Sequence, residues 1–175
     1  TADDSLVINH DPHHNRLDIE KTSFAELRHF PLANGEPLPT LRSYLLAGME
    51  KNPHTRLVLE IKPSGISKER AKIIAGKVWQ LVNELNAAPW IVYISFDYDI
   101  LKELRRLDPK ASLQFLDGNI APAQLKADGM NGADYHFSVF KKNPHWIKEA
   151  KEHGIALNAW TVNDEETMQW LIKEG

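Results

Sequence analysis

Short apolar runs recur along the chain, and each is followed by a segment with helical spacing. They lie at residues 57–62 (LVLEIK), 91–96 (IVYISF), 111–116 (ASLQFL), 133–139 (ADYHFSV) and 156–162 (ALNAWTV). Their starts are 34, 20, 22 and 23 residues apart, which fits one strand, one loop, one helix and a second loop. The runs are nearly continuously apolar, as strands covered on both faces should be.

The intervening segments carry helix signals. Ser67 is placed to cap a helix with Ile74, Val78, Leu81, Val82 and Leu85 on one face. Asp97 is placed to cap another, with Ile100, Leu101, Leu104 and Leu107, which Pro109 stops. Asn143-Pro144 gives a cap with proline at the first helical position, and Gly154 sits at the matching stop. Asn163 with Glu166 resembles a capping box opening a last helix through Trp170 and Leu171. The N-terminal part is different. One short strand is expected at residues 6–9, then a polar stretch to Pro39. Within it Ser23-x-x-Glu26 caps a short helix, and Thr40 starts another with Leu41, Tyr44 and Leu45. Strands alternating with helices predict parallel βαβ units in one α/β domain over residues 1–175. A partial TIM barrel with outer helices is favoured over a doubly wound sheet. No L-x-x-L-x-L ladder recurs, so a leucine-rich repeat is set aside.

Composition narrows the function. Of 175 residues, 42% are hydrophobic and 26% charged, an ordinary globular balance. Lys plus Arg number 21 against 24 Asp plus Glu, so the basic footprint of a nucleic-acid-binding domain is missing. There is no cysteine, which removes disulfides, zinc–thiolate sites and cysteine nucleophiles together. No apolar run approaches the ~18 residues of a membrane span, so stable membrane insertion is not expected. Histidine is the anomaly: there are eight, with His10, His13 and His14 close together.

The alternation of LVLEIK puts Val58, Glu60 and Lys62 on one strand face. Two charges on an otherwise apolar face cost free energy without partners, and they sit at the C-terminal end of the strand, where α/β barrels keep their active sites. A carboxylate there suits a hard divalent cation, and a lysine two residues on reaches an anion held by it. A Glu–Lys pair that closes the strand end is the plain alternative. His10 ends a short apolar strand and precedes Asp11, a pairing suited to proton transfer, although such a histidine can equally be structural. With His13 and His14 it also forms an H-D-x-H-H cluster of transition-metal type, but no regular element aims those rings together. Asn158 and Trp160 share a face, and Trp160, like Phe96, either fills the core or walls a pocket. No glycine-rich phosphate loop is present.

Taken in order, these pieces resemble the glycerophosphodiester phosphodiesterase family. Its pattern T-x-D-(D/G)-x-x-V-x-x-H-D is similar to Thr1-Ala2-Asp3-Asp4-Ser5-Leu6-Val7-Ile8-Asn9-His10-Asp11. Leu38-Pro39-Thr40-Leu41, Glu60-Ile61-Lys62, Ser95-Phe96 and Trp160-Thr161-Val162-Asn163 match four further motifs across essentially the whole chain. The resemblance implies a TIM barrel, a divalent cation (Ca²⁺ or Mg²⁺), and hydrolysis of a small glycerophosphodiester to glycerol 3-phosphate and an alcohol, a reaction of lipid and glycerol metabolism. It implies that His10 is one of two catalytic histidines, that Glu60 is a metal ligand and that Lys62 steadies the phosphate. It also implies that Trp160 and Phe96 line the substrate pocket.

The family pattern also has a His-Arg pair and a Glu-x-Asp pair upstream of the threonine matching Thr1, and a final strand downstream. Neither pair nor that strand is found here, so an incomplete barrel is expected, with exposed edges and doubtful activity of its own. A phospholipase D-like phosphodiesterase of the same fold is the nearest alternative, and a catalytically inactive binding fragment is another. The missing cysteine slightly favours a periplasmic or secreted location over a cytoplasmic one.

Overall fold

Parallel strands need a crossover between each pair, and the helices supplied by the spacing provide it. The computed structural model covers residues 1–175. Its main sheet has five strands: β3 (Leu57–Glu60), β4 (Ile91–Ser95), β5 (Leu113–Phe115), β6 (Gly132–His136) and β7 (Ala156–Trp160). All neighbours are parallel and follow chain order, as the barrel reading requires. Before them lie a two-residue antiparallel ribbon, β1 (His13–His14) with β2 (Leu17–Asp18), and the helices α1 (Phe24–Leu27) and α2 (Leu41–Met49). The connecting helices are α3 (Lys68–Glu84), α4 (Tyr98–Leu107), α5 (Pro122–Ala127), α6 (Phe137–Lys142) and α7 (His145–His153), and α8 (Glu165–Glu174) follows β7.

Helix starts follow the side chains that can take orphan backbone N–H groups. Ser67 accepts from the N–H of Arg70 at 3.1 Å, Thr40 from Ser43, Ser23 from Glu26, and Asp97 from Asp99 at 3.0 Å. Two predicted caps move by one residue. The last helix is capped by Asp164, which accepts from Thr167 at 2.8 Å, because the aspartate and not Asn163 is in register with that N–H. Helix α7 begins at His145 behind Pro144, with the Asn143 carbonyl accepting from Trp146.

The strands are shorter than their apolar runs. The run at 133–139 is strand only to His136, whose ring accepts the Ser138 N–H and turns the chain into α6. The predicted strand at 6–9 shrinks to a single bridge between Val7 and Thr40, because its partner segment contains Pro39, which has no N–H to extend a ladder. Helices α5 and α6, six residues each, are too short to show a clear period.

The two faces of the sheet pack differently. The outer face joins the helices in one core of 25 buried residues, with Ile91, Tyr93, Leu113, Ala133 and Tyr135 meeting Val78, Ile100, Leu101, Leu104 and Leu125. The inner face carries a small separate cluster, Val92, Ile94 and Leu116, covered by Trp160. The sheet is curled into a half-barrel, and one contact shows how. Asn158 Nδ2 on β7 donates to Gln114 Oε1 on β5 at 2.6 Å, across the intervening strand. Gly132 makes this crossing possible: a Cβ there would lie 2.7 Å from Gln114 Cγ and 3.0 Å from the Ala156 carbonyl oxygen. Strands β3 and β7 are the sheet's edges, and Val58, on the inner face of β3, is 61% exposed.

Candidate active site

Alternation along the strands brings a set of polar and aromatic side chains to the C-terminal mouth of the half-barrel. Glu60 is the last residue of β3, and Lys62 follows on the same side. Lys62 Nζ donates to Glu60 Oε2 at 2.8 Å. Glu60 Oε1 is buried and has no hydrogen-bond partner. An orphaned carboxylate oxygen is costly, which leaves this atom free to take a donor or a cation from outside the protein chain. On β6, Asp134 points into the same interior. Burial first, and then the negative charge of Glu60, pushes its pKa up to about 6.

His10 lies on the N-terminal arm with its ring open to solvent. Its Nδ1 is 2.9 Å from Asp11 Oδ1. A carboxylate only accepts, so Nδ1 carries the proton and Nε2 is left as a base. The loop is held by Asn9 Nδ2, which donates to the carbonyls of Asp11 and His13 at 2.8 and 3.0 Å. His10, Glu60 and Lys62 line one cleft of about 410 Å³ between this arm, α2 and β3.

Phe96 and Trp160 lie apart from that cleft. Their rings meet edge to face with centroids 5.7 Å apart, on the β4 and β7 side of the mouth. Trp160 Nε1 donates to the Asp134 carbonyl at 2.8 Å, which pins the indole to β6. The structure thus brings three of the five sequence-derived residues into one cleft and pairs the other two as an aromatic wall.

The histidine cluster does not form a metal site. The His14 ring is buried with Nε2 at 2.7 Å from the Phe30 carbonyl, while the His10 ring turns to Asp11, and no three His, Asp or Glu side chains are grouped to hold an ion. The short antiparallel ribbon sends His13 outward and His14 inward, which separates the rings.

Two mouth residues escaped the sequence reading, Asp134 and His136. The signal was present: in ADYHFSV the same period of two that pairs Glu60 with Lys62 pairs Asp134 with His136. His136 packs against Trp160, with centroids 5.1 Å apart, and its Nδ1 is 2.7 Å from Ser138 Oγ.

Residues 1–175 match the glycerophosphoryl diester phosphodiesterase family over their whole length. The chain belongs to this family. A glycerophosphodiester phosphodiesterase of Caldanaerobacter subterraneus subsp. tengcongensis is 28% identical over 143 residues, which are 81% of this chain and 56% of that protein. The chain thus spans little more than half the length of this curated relative. The crystal structure of a glycerophosphodiester phosphodiesterase from Parabacteroides distasonis is 38% identical, with a TM-score of 0.96, and the match covers 100% of this chain and 73% of that one. A phosphodiesterase of Oleispira antarctica, solved with the product sn-glycerol-3-phosphate, shares the fold at 22% identity, with a TM-score of 0.79 over 100% of this chain and 74% of that one.

Proposed function

We propose that this family member acts in the hydrolysis of glycerophosphodiesters, releasing glycerol 3-phosphate and an alcohol. The observation that carries the reading is the unpartnered Oε1 of Glu60, placed beside Lys62 in the cleft that His10 also lines. The product held by the Oleispira antarctica enzyme supports the substrate class.

The donor set fits one ligand of a hard cation. A buried carboxylate oxygen without a hydrogen bond is the kind of donor that Ca²⁺ or Mg²⁺ takes, so Glu60 is the residue to hold it. Held there, a divalent ion would supply Lewis-acid stabilisation of the phosphodiester's negative charge. The further carboxylates of a complete ligand set are expected from the Glu-x-Asp segment of the family pattern.

The chain's own residues do the rest. Lys62 shifts from Glu60 Oε2 toward the phosphoryl oxygens, where its positive charge counts more as negative charge builds in the transition state. His10 Nε2 takes a proton from the attacking water as its oxygen bonds to phosphorus and the P–O bond to the alcohol breaks, with Asp11 holding the ring and favouring the imidazolium that results. The return of a proton to the departing alcohol oxygen would fall to the second histidine of the family pattern, which is not among residues 1–175.

The test uses Glu60→Gln and His10→Ala in the full-length protein. Glu60→Gln should weaken Mg²⁺ or Ca²⁺ binding, measured by calorimetry, and excess metal should restore part of the turnover. His10→Ala should keep metal affinity while turnover falls about 10²–10⁴-fold. Loss of metal from His10→Ala with retention by Glu60→Gln would refute the assignment. Glycerophosphocholine assayed beside a lysophospholipid separates this activity from a phospholipase D-like one.

The second reading is that residues 1–175 by themselves act as a catalytically inactive binding fragment. Phosphate binding without turnover by residues 1–175 would favour it. No helix is long and apolar enough to cross a membrane.

A further inference from the structure

His136 occupies the mouth in a state opposite to that of His10. Its Nδ1 accepts a hydrogen bond from the Ser138 backbone N–H at 3.3 Å and lies 2.7 Å from the Ser138 hydroxyl oxygen. A backbone N–H can only donate, so Nδ1 must keep its lone pair and the proton of the neutral ring sits on Nε2. The ring is also held mechanically, between Phe137 at 4.5 Å and Trp160 at 5.1 Å between centroids. Nε2 has no hydrogen-bond partner in the protein and is not among the buried unsatisfied atoms, so it opens to the solvent of the mouth. The result is a preorganised neutral N–H donor beside an indole.

Its distance from the charged cleft decides what it meets. Strands β4 and β5 stand between β3 and β6. Three strand spacings of about 4.8 Å separate Lys62 from His136 along the curved sheet. In the function proposed above, a phosphoryl group at Glu60 and Lys62 would leave the rest of the substrate within the mouth, whose far side, at β6 and β7, carries His136 and Trp160. A neutral donor beside an aromatic wall suits a polyol, whose oxygens accept and whose carbons pack on the ring.

Resting on the function proposed above, we infer that His136 Nε2–H donates to a hydroxyl oxygen of the substrate's glyceryl group, with Ser138 fixing the tautomer and Trp160 packing on its carbons. His136 is then a specificity residue for glycerol phosphates over other phosphate esters.

The experiment follows the ¹⁵N signals of the histidine rings in the full-length protein at about pH 8, in the presence of Mg²⁺. In the free protein, long-range ¹H–¹⁵N spectra should show His136 as the Nε2–H tautomer, and an Nδ1–H form would overturn the inference. sn-Glycerol 3-phosphate should shift His136 Nε2, while inorganic phosphate should not. Equal shifts with inorganic phosphate would overturn it, because the donor would then serve the phosphoryl group. His136→Phe, which keeps a ring and loses the donor, should weaken glycerol 3-phosphate binding about 3- to 10-fold, the worth of one neutral hydrogen bond. Phosphate binding should be unchanged, and His136→Gln, which restores an N–H₂ donor, should recover part of the loss. If glycerol 3-phosphate perturbs Lys62 but leaves His136 and the variants unaffected, the function stands and this inference alone falls. If neither ligand perturbs the mouth of the unaltered protein, the function and the inference fall together.

Discussion

Asp134 is the charged group most at odds with its surroundings, and its removal should stabilise the protein. Burial, reinforced by Glu60, pushes its pKa up to about 6 from the ordinary 3.8. Each decade of proton affinity is worth about 1.4 kcal/mol, which gives about 3 kcal/mol in full. The side chain is only half-buried, and solvent screening reduces this to about 1–2 kcal/mol. The sign follows from linkage. A carboxyl group whose pKa is raised in the native state binds its proton more tightly there, so acid favours folding. The destabilisation is absent below 3.8, grows as the pH rises to about 6, and is complete above that. Asp134→Asn removes the charge and keeps the shape. The variant should be about 1–2 kcal/mol more stable than the parent at about pH 7.5, and the gap should close toward pH 4. Urea unfolding followed by circular dichroism at several pH values measures it, with the slopes checked for equality. A gap that does not change with pH, or a parent that is the more stable protein at neutral pH, would refute the argument.

Other expectations follow from single contacts. Gly132→Ala should cost about 1–3 kcal/mol in the same unfolding assay, because the new Cβ meets a backbone carbonyl that cannot move aside. Leu104→Ala, at a fully buried site of the outer core, should cost about 2–5 kcal/mol. Asp97→Ala removes both the cap of α4 and the partner of Lys68 at 2.9 Å, and should lower stability by about 1–3 kcal/mol with no change in metal affinity. Residues 1–175 alone should release no glycerol 3-phosphate in a coupled assay, and Mg²⁺- or Ca²⁺-dependent release would show that the site is placed wrongly.

The fold was legible because long signals dominate it. Five apolar runs at near-regular spacing define the parallel order, and caps such as Ser67 and Asp97 carry their own hydrogen-bond logic in their side chains. What failed were short-range competitions that periodicity does not register. Pro39 denies the segment at 6–9 a ladder partner, and His136 ends β6 by accepting the Ser138 N–H. Asp164 rather than Asn163 meets the Thr167 N–H. The candidate cleft was legible where charge broke an apolar pattern, as at Glu60 and Lys62. Asp134 and His136 obey the same alternation, but they lie in a run diluted by small and aromatic residues, and their proximity to Glu60 and Trp160 exists only once the sheet curls.

The curl also divides the mouth by chemistry. Glu60, Lys62 and His10 gather at the edge strand β3 and the N-terminal arm, while Phe96, His136 and Trp160 gather over β4, β6 and β7. Between them Ile94 and Leu116 form an apolar floor that holds no charge. Asp134 joins the two halves. Its carboxyl faces Glu60 electrostatically, and its backbone carbonyl accepts the Trp160 indole N–H. In the function proposed above, the charged half would handle the phosphoryl group and its protons, and the aromatic half would read what the phosphoryl group is attached to. The two histidines follow the same division. Asp11 draws the proton to Nδ1 of His10 and leaves Nε2 a base, whereas Ser138 donates to Nδ1 of His136 and leaves Nε2 a donor. The neighbour one or two residues along the chain, not the imidazole itself, decides which nitrogen of each ring carries the proton.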